Sequence, residues 1–204
     1  MRHSPALSLA LLALVSTLAL AQTPTAAPTQ RIRGDVVALD GPNLQVKSRT
    51  GEMLTIKLAD NYTVTAVVKI GIDKITPGAY VGTATMPQAD GTQSALEVLL
   101  LPESSRGSNE GHYPWDLQPG SMMTNATVAE VATVERARRM KLTYKDGEQV
   151  VFVPENAPIV TFEPGERAML VPGAHILVTG AKQPDGTLTA NRVVVGKNGL
   201  VPPM

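Results

Sequence analysis

Leu44-Gln45-Val46-Lys47, then Thr50-Gly51-Glu52, then Leu54-Thr55-Ile56-Lys57-Leu58 reads as a strand, a glycine turn and a second strand. Leu54, Ile56 and Leu58 alternate with Thr55 and Lys57, and a period of two turns one face to a core and the other to water. The same alternation pairs Leu44 with Val46. This order recurs downstream as Met140-Lys141-Leu142-Thr143, Asp146-Gly147-Glu148 and an apolar run from Val150 to Val153.

Two further points of punctuation repeat. Pro77-Gly78-Ala79-Tyr80-Val81 is matched by Pro172-Gly173-Ala174-His175-Ile176, and Ala89-Asp90-Gly91-Thr92 by Pro184-Asp185-Gly186-Thr187. Gly147 follows Gly51 by 96 positions, while Gly173 follows Gly78 and Gly186 follows Gly91 by 95, so one single-residue gap aligns all three pairs. A duplicated β-module is therefore expected. Runs of Val, Ile, Leu, Thr and Tyr bounded by Gly, Asp, Asn and Pro give about six strand candidates in the first copy, at 32–39, 44–48, 53–58, 63–68, 79–86 and 94–101. Asp40-Gly41, Asp90-Gly91, Asp146-Gly147 and Asp185-Gly186 are hairpin signals. The one stretch with helical character, 128–140, carries β-branched Val128, Val131, Thr133 and Val134 and is expected to be strand. The fold class expected is all-β, as two tandem small OB-like β-barrel modules joined by a linker.

Arg2 and His3 precede an apolar run that closes on Ala19-Leu20-Ala21, the pattern of a secretory signal peptide cleaved after Ala21. The expected organisation is a signal peptide at 1–21, a flexible segment at 22–30 and a first barrel module at 31–102. A linker follows at 103–126, and a second module with a C-terminal tail at 127–204. The chain has no cysteine, so disulfides, thiolate metal sites and lipid attachment at a cysteine are excluded. The expected destination is the periplasm, with no membrane span after cleavage, because no later stretch approaches roughly 18 consecutive apolar residues. Without residues 1–21 the chain carries Lys+Arg 17 against Asp+Glu 18, since that segment removes only Arg2. A nearly neutral chain whose densest basic run is Arg136, Arg138, Arg139 and Lys141 is not expected to hold nucleic acid.

The linker divides in character. Residues 103–111 are rich in Ser, Gly and Asn and should be exposed and mobile. His112, Tyr113, Trp115, Asp116, Met122 and Met123 follow within a dozen positions, and Trp115 is the sole tryptophan. Glu110-Gly111-His112-Tyr113-Pro114-Trp115-Asp116-Leu117, with Pro119-Gly120-Ser121-Met122-Met123-Thr124-Asn125-Ala126-Thr127-Val128, resembles a proteobacterial exported family of unknown function with OB-like repeats. Its members often carry a metal transporter permease label, which the absence of spans contradicts here. The resemblance implies the OB-like modules and transfers no catalytic residue.

Two readings of the segment stay open. Tyr113, Trp115 and Leu117 fold back as an apolar clasp between the barrels, or the segment lines a ligand groove with Tyr113 and Trp115 as stacking surfaces and His112 or Asp116 as polar anchors. A variant of the second is a soft, copper-like metal site of His112, Met122 and Met123; core-filling methionines are the plainer alternative. His175 matches Tyr80 and suggests a position that takes a half-buried ring.

An enzyme is not expected. Ser108 and Ser121 share the linker with His112 but form no nucleophile elbow, and Glu163, Glu166 and Asp185 fall in expected turns. No phosphate-cradling glycine loop supports a nucleotide, and no cofactor is expected. The expected function is a non-enzymatic periplasmic binding or interaction module with an envelope protein as partner; the alternative is a small-ligand or soft-metal binding protein using the inter-module segment.

Overall fold

The computed structural model describes residues 28–134 and 137–203, so the expected signal peptide at 1–21 and residues 22–27 lie outside the described residues. Thirteen strands account for most of the rest. The first half of the chain gives β1 (Thr29–Asp40), β2 (Asn43–Ser48), β3 (Met53–Lys69), β4 (Tyr80–Pro87), β5 (Gln93–Ala95) and β6 (Val98–Leu100). The second gives β7 (Gly111–Pro114), β8 (Met122–Val134), β9 (Ala137–Tyr144), β10 (Gly147–Val153), β11 (Ile159–Pro164), β12 (His175–Lys182) and β13 (Leu188–Gly196). The all-β expectation holds, including strand over 128–134 and 137–140. No helix among the described residues is long and apolar enough to cross a membrane.

The opening stretch forms the first hairpins as its alternation requires: β2 pairs β3 antiparallel, Leu44 opposite Ile56 and Val46 opposite Leu54. Leu44, Val46 and Ile56 are wholly buried, and each such side chain contributes about 1.5–3 kcal/mol of transfer free energy. β3 runs on through exposed Ala59, Asp60 and Asn61 as one strand, where the sequence pattern suggested two. Residues 59–62 have no register partner, and the pairing with β13 skips from Leu58 to Thr63 across an irregularity, so the strand continues through a break in its ladder.

Five strands close into a barrel in the order β1-β2-β3-β13-β12, with β12 returning to β1 and β13 lying parallel to β3. Its core holds Ile32, Leu44, Ile56, Leu58, Ile176 and Val193 among others. This barrel differs from the expected module at 31–102, because its last two strands come from the C-terminal half. The other strands pair as β4-β5-β10-β9-β8, β8 returns to β4, and β5 lies parallel to β10. They surround a second core containing Val81, Val98, Val128, Met140, Leu142 and Val151. Residues 127–204 are likewise divided between the two sets, β8 to β10 going one way and β12 and β13 the other.

The pairing between the two halves of the chain is held at the glycine turns. The amide of Val36 donates to Ala174 O at 2.9 Å and Gly173 N donates to Val36 O at 2.8 Å; Val128 N donates to Ala79 O at 2.9 Å and Gly78 N to Val128 O at 2.8 Å. Each first strand is thus clamped by the Pro-Gly-Ala turn of the opposite half. Gly78 and Gly173 have φ of 87° and 84°, a region that favours glycine. β1 and β8 also carry register shifts at matching places, between Val36 and Ala38 and between Val128 and Glu130. The Asp-Gly turns match as well: Thr92 N donates to Asp90 Oδ1 at 3.0 Å and Thr187 N to Asp185 Oδ1 at 2.9 Å. The Asp146-Gly147 signal is displaced by one residue, since Gly147 pairs with Tyr144 and already belongs to β10.

The two sets of strands meet along β11, which pairs with β3 on one side and β6 on the other. A third apolar cluster of Val67, Leu99, Val160, Leu177 and Val194 fills this seam.

Candidate functional site

The expected linker 103–126 contains β7 and the start of β8. Residues 103–110 are largely exposed, but Arg106 ties them down: its Nη2 donates to Gly78 O at 2.8 Å and its Nη1 to Thr127 Oγ1 at 2.8 Å. After β7 the chain turns tightly through 115–121. Trp115 N donates to Ser121 O at 2.8 Å, and Ser121 Oγ lies 2.8 Å from Gln118 O and 3.1 Å from Trp115 O. Ser121 is buried, and its hydroxyl closes the turn.

That turn presents Trp115 to the first barrel. The Arg31 guanidinium stacks 3.8 Å over the indole centroid, and Tyr113 meets the indole edge-on at 6.2 Å and 64°. Stacked cations and edge-on aromatic pairs each add on the order of 1 kcal/mol beyond burial. Asp116 anchors the same corner: it accepts from Arg33 Nη2 at 2.8 Å and lies 3.4 Å from Arg31 Nη1, while its backbone carbonyl accepts from Arg49 at 3.1 Å. Partial burial alone would raise the Asp116 carboxyl, but the Arg33 hydrogen bond and the charges of Arg33 and Arg31 outweigh it and hold the group below the usual carboxylate range. Asp116 is therefore committed to the barrel junction.

Between the two sets of strands lies a cleft of about 830 Å³, within the range of small-molecule sites. The first barrel contributes Arg31, Leu177, Thr179, Asn191, Arg192 and Val194. Across from them stand Gly82, Leu99, Met123 and Asn125, and the turn-rich segment adds Ser108, Glu110, Tyr113 and Trp115. Asn125 Nδ2 donates to Tyr113 Oη at 2.8 Å and to Asn109 O at 3.0 Å, fixing the rim. At Gly82 a Cβ would stand 2.7 Å from Asn125 Oδ1, so any larger residue would push the Asn125 amide from its place at the rim.

Two polar groups in this wall lack partners. Glu97, in the break between β5 and β6, is fully buried, and apart from a weak pull from the Ala84 amide its carboxyl oxygens have no well-formed hydrogen bond; Trp115 Nε1 is likewise buried and unpartnered. Burial pushes the Glu97 carboxyl up to about 8 against the weaker opposing pull of the Ala84 amide and the Arg33 charge. At neutral pH it is a carboxylic acid, with one O–H to donate. Sequence reasoning missed Glu97 by absorbing it into the strand 94–101. Its signal was a single carboxylate within Ala95-Leu96-Glu97-Val98-Leu99-Leu100-Leu101.

Of the other expected site residues, Tyr113 and Trp115 line the cleft while His112 does not. The β7–β8 register sets His112 opposite Thr124, Tyr113 opposite Met123 and Pro114 opposite Met122. His112 and Met122 thus share one face, and Met123 takes the other with Tyr113 and Asn125. His112 Nδ1 lies 2.8 Å from Thr124 Oγ1, and partial burial lowers its pKa. The three residues of the soft-metal reading do not converge, and no group of three or more His, Cys, Asp or Glu among the described residues is placed to hold a metal. Met123 is buried in the cleft wall. His175, at the position equivalent to Tyr80, is half-buried and pairs with Asp35 at 2.6 Å. Comparison with protein-family models, curated proteins and solved structures returns no match.

Proposed function

We propose that this chain is a non-enzymatic binding protein of the periplasm that holds a small molecule in the cleft between two OB-like barrels. The observation that carries this reading is the pairing of an 830 Å³ cleft with two buried, unpartnered polar groups in its wall, the Glu97 carboxyl and the Trp115 indole N–H. A buried polar group without a partner costs about 1–3 kcal/mol, so leaving two in one cleft favours any ligand that satisfies both. The two OB-like modules of this reading are products of duplication that have exchanged their last two strands: β1 to β3 close with β12 and β13, and β8 to β10 with β4 and β5. The matched turn hydrogen bonds support the duplication, and the exchange explains why a cleft forms at the seam, since each half of the chain crosses it.

Export rests on the N-terminal sequence pattern, and the family resemblance to exported OB-like proteins agrees with it. Native mass spectrometry of the protein recovered from the periplasm is the test. A retained organic mass, absent from a Trp115→Ala variant, is expected; an apo mass for both proteins, with protein partners recovered by cross-linking, would replace the cleft by an interaction surface.

A further inference from the structure

Taking that cleft as the binding site, we propose that its ligand is a small organic anion with an apolar body, whose anionic oxygens accept hydrogen bonds from the Glu97 carboxyl O–H and the Trp115 indole N–H.

The polarity of the ligand follows from what the cleft offers. Trp115 Nε1–H is a donor only, and the buried Glu97 side chain, with no cation bonded to it, resists ionisation and offers its O–H. Two donors in one wall call for an acceptor. The charged and titratable groups around them are Arg31 and Arg33 of β1, Glu110, Tyr113 and Asp116 around β7, and Arg192 of β13. With Glu97 neutral, three guanidinium groups face two carboxylates, an excess of one positive charge in a partly desolvated site. Arg192 is exposed but lies over Phe162, its ring centroid 5.0 Å away, and donates from Nε to Thr65 Oγ1 at 3.1 Å, so it flanks the cleft in a held pose. An ammonium ligand would meet these arginines; a carboxylate would be drawn by them.

The body of the ligand follows from the apolar wall. Leu99, Leu101, Met123, Phe162, Leu177 and Val194 offer alkyl and aromatic surface with no hydrogen-bonding demand. Glu97 and Trp115 Nε1 are sealed from water in the present side-chain arrangement, so engagement of both requires a rotation of the carboxyl and of the indole into the cleft. That rotation moves the only tryptophan of the chain, which makes binding visible by fluorescence.

The test is a titration of the full mature protein with octanoate, octanol and octylammonium, three probes of one chain length, followed by Trp115 emission from pH 6 to pH 10. Octanoate is expected to bind at least tenfold more tightly than either analogue at pH 7. Its affinity should fall about tenfold per pH unit above pH 8, where Glu97 ionises and loses its donor. Glu97→Gln retains a donor and should keep octanoate binding while losing that pH dependence; Glu97→Leu should weaken it at least tenfold. Octanol or octylammonium binding as tightly as octanoate, or an octanoate affinity independent of pH, overturns the anion assignment and leaves the cleft as a binding site. No saturable change in Trp115 emission with any of the three overturns both.

Discussion

Replacing Glu97 by Gln keeps the volume of the side chain and removes its titration. The folded protein holds this carboxyl up to about 8, against 4.5 for the free side chain. Below pH 4.5 the group is protonated in both folded and unfolded chains and has no pH-dependent effect. Between pH 4.5 and 8 the unfolded chain releases the proton and the folded chain keeps it, so stability declines as pH rises, by about 1.4 kcal/mol per unit. At pH 7 the accumulated loss is about 3 kcal/mol, and it levels off at about 5 kcal/mol above pH 8. Urea unfolding of wild type and Glu97→Gln at pH 5, 6, 7 and 8, read by far-UV circular dichroism, isolates this residue as the difference between the two profiles. The variant should gain on the wild type steadily from pH 5 to pH 8. Parallel profiles would refute the reasoning, because they would mean that Glu97 finds water or a cation in the folded state.

Other consequences are as direct. Asp116→Ala removes the acceptor shared by Arg31 and Arg33 and should cost about 1 kcal/mol at pH 7, since the group is partly exposed. Because Asp116 is held below its ordinary value, that loss should shrink as pH falls through the range in which the folded-state carboxyl protonates, as denaturation between pH 2 and pH 7 would reveal. Met123→Ala should destabilise by about 2–4 kcal/mol as a buried truncation, while Met122→Leu with Met123→Leu should leave copper uptake unchanged by metal analysis. Asp35→Cys combined with His175→Cys should oxidise to a single intramolecular disulfide, detectable on a non-reducing gel, because the two positions are register partners 140 residues apart; a reduced pair would contradict the pairing of β1 with β12.

Much of the architecture was legible because it is local. Alternation in Leu44-Gln45-Val46 and Leu54-Thr55-Ile56 dictates strands whatever they pair with, and the glycines at 78 and 173 or 91 and 186 mark turns by their backbone requirements alone. Partner choice is not local. The Pro-Gly-Ala turns at 77–79 and 172–174 are chemically alike, so nothing in either indicates whether it clamps the first strand of its own half or of the other. β3 reads as two strands in sequence because its apolar alternation stops at Leu58 and resumes after Asn61, and the ladder with β13 is interrupted over the same exposed residues.

The site was only partly legible for the same reason. Tyr113 and Trp115 stood out as rare aromatics in a polar segment, and both line the cleft. Asp116 and His112 stood out equally as polar neighbours, but Arg31 and Arg33 claim the first and Thr124 the second. Arg31, Glu97 and Arg192 come from three distant segments of the chain, and only the crossing of the halves brings them to one seam. Of these, Glu97 alone carried a sequence signal, a carboxylate inside an apolar strand, where burial without a partner is costly enough to require a reason.

The most direct measurement is the indole proton resonance of Trp115, which appears as a single peak in a nitrogen-correlated NMR spectrum because the chain has one tryptophan. Octanoate should move that peak saturably downfield as Nε1–H gains an acceptor, and Glu97→Leu should shift the titration to higher concentration. A stationary indole peak in the presence of bound octanoate would place the ligand elsewhere and contradict the assignment of the cleft.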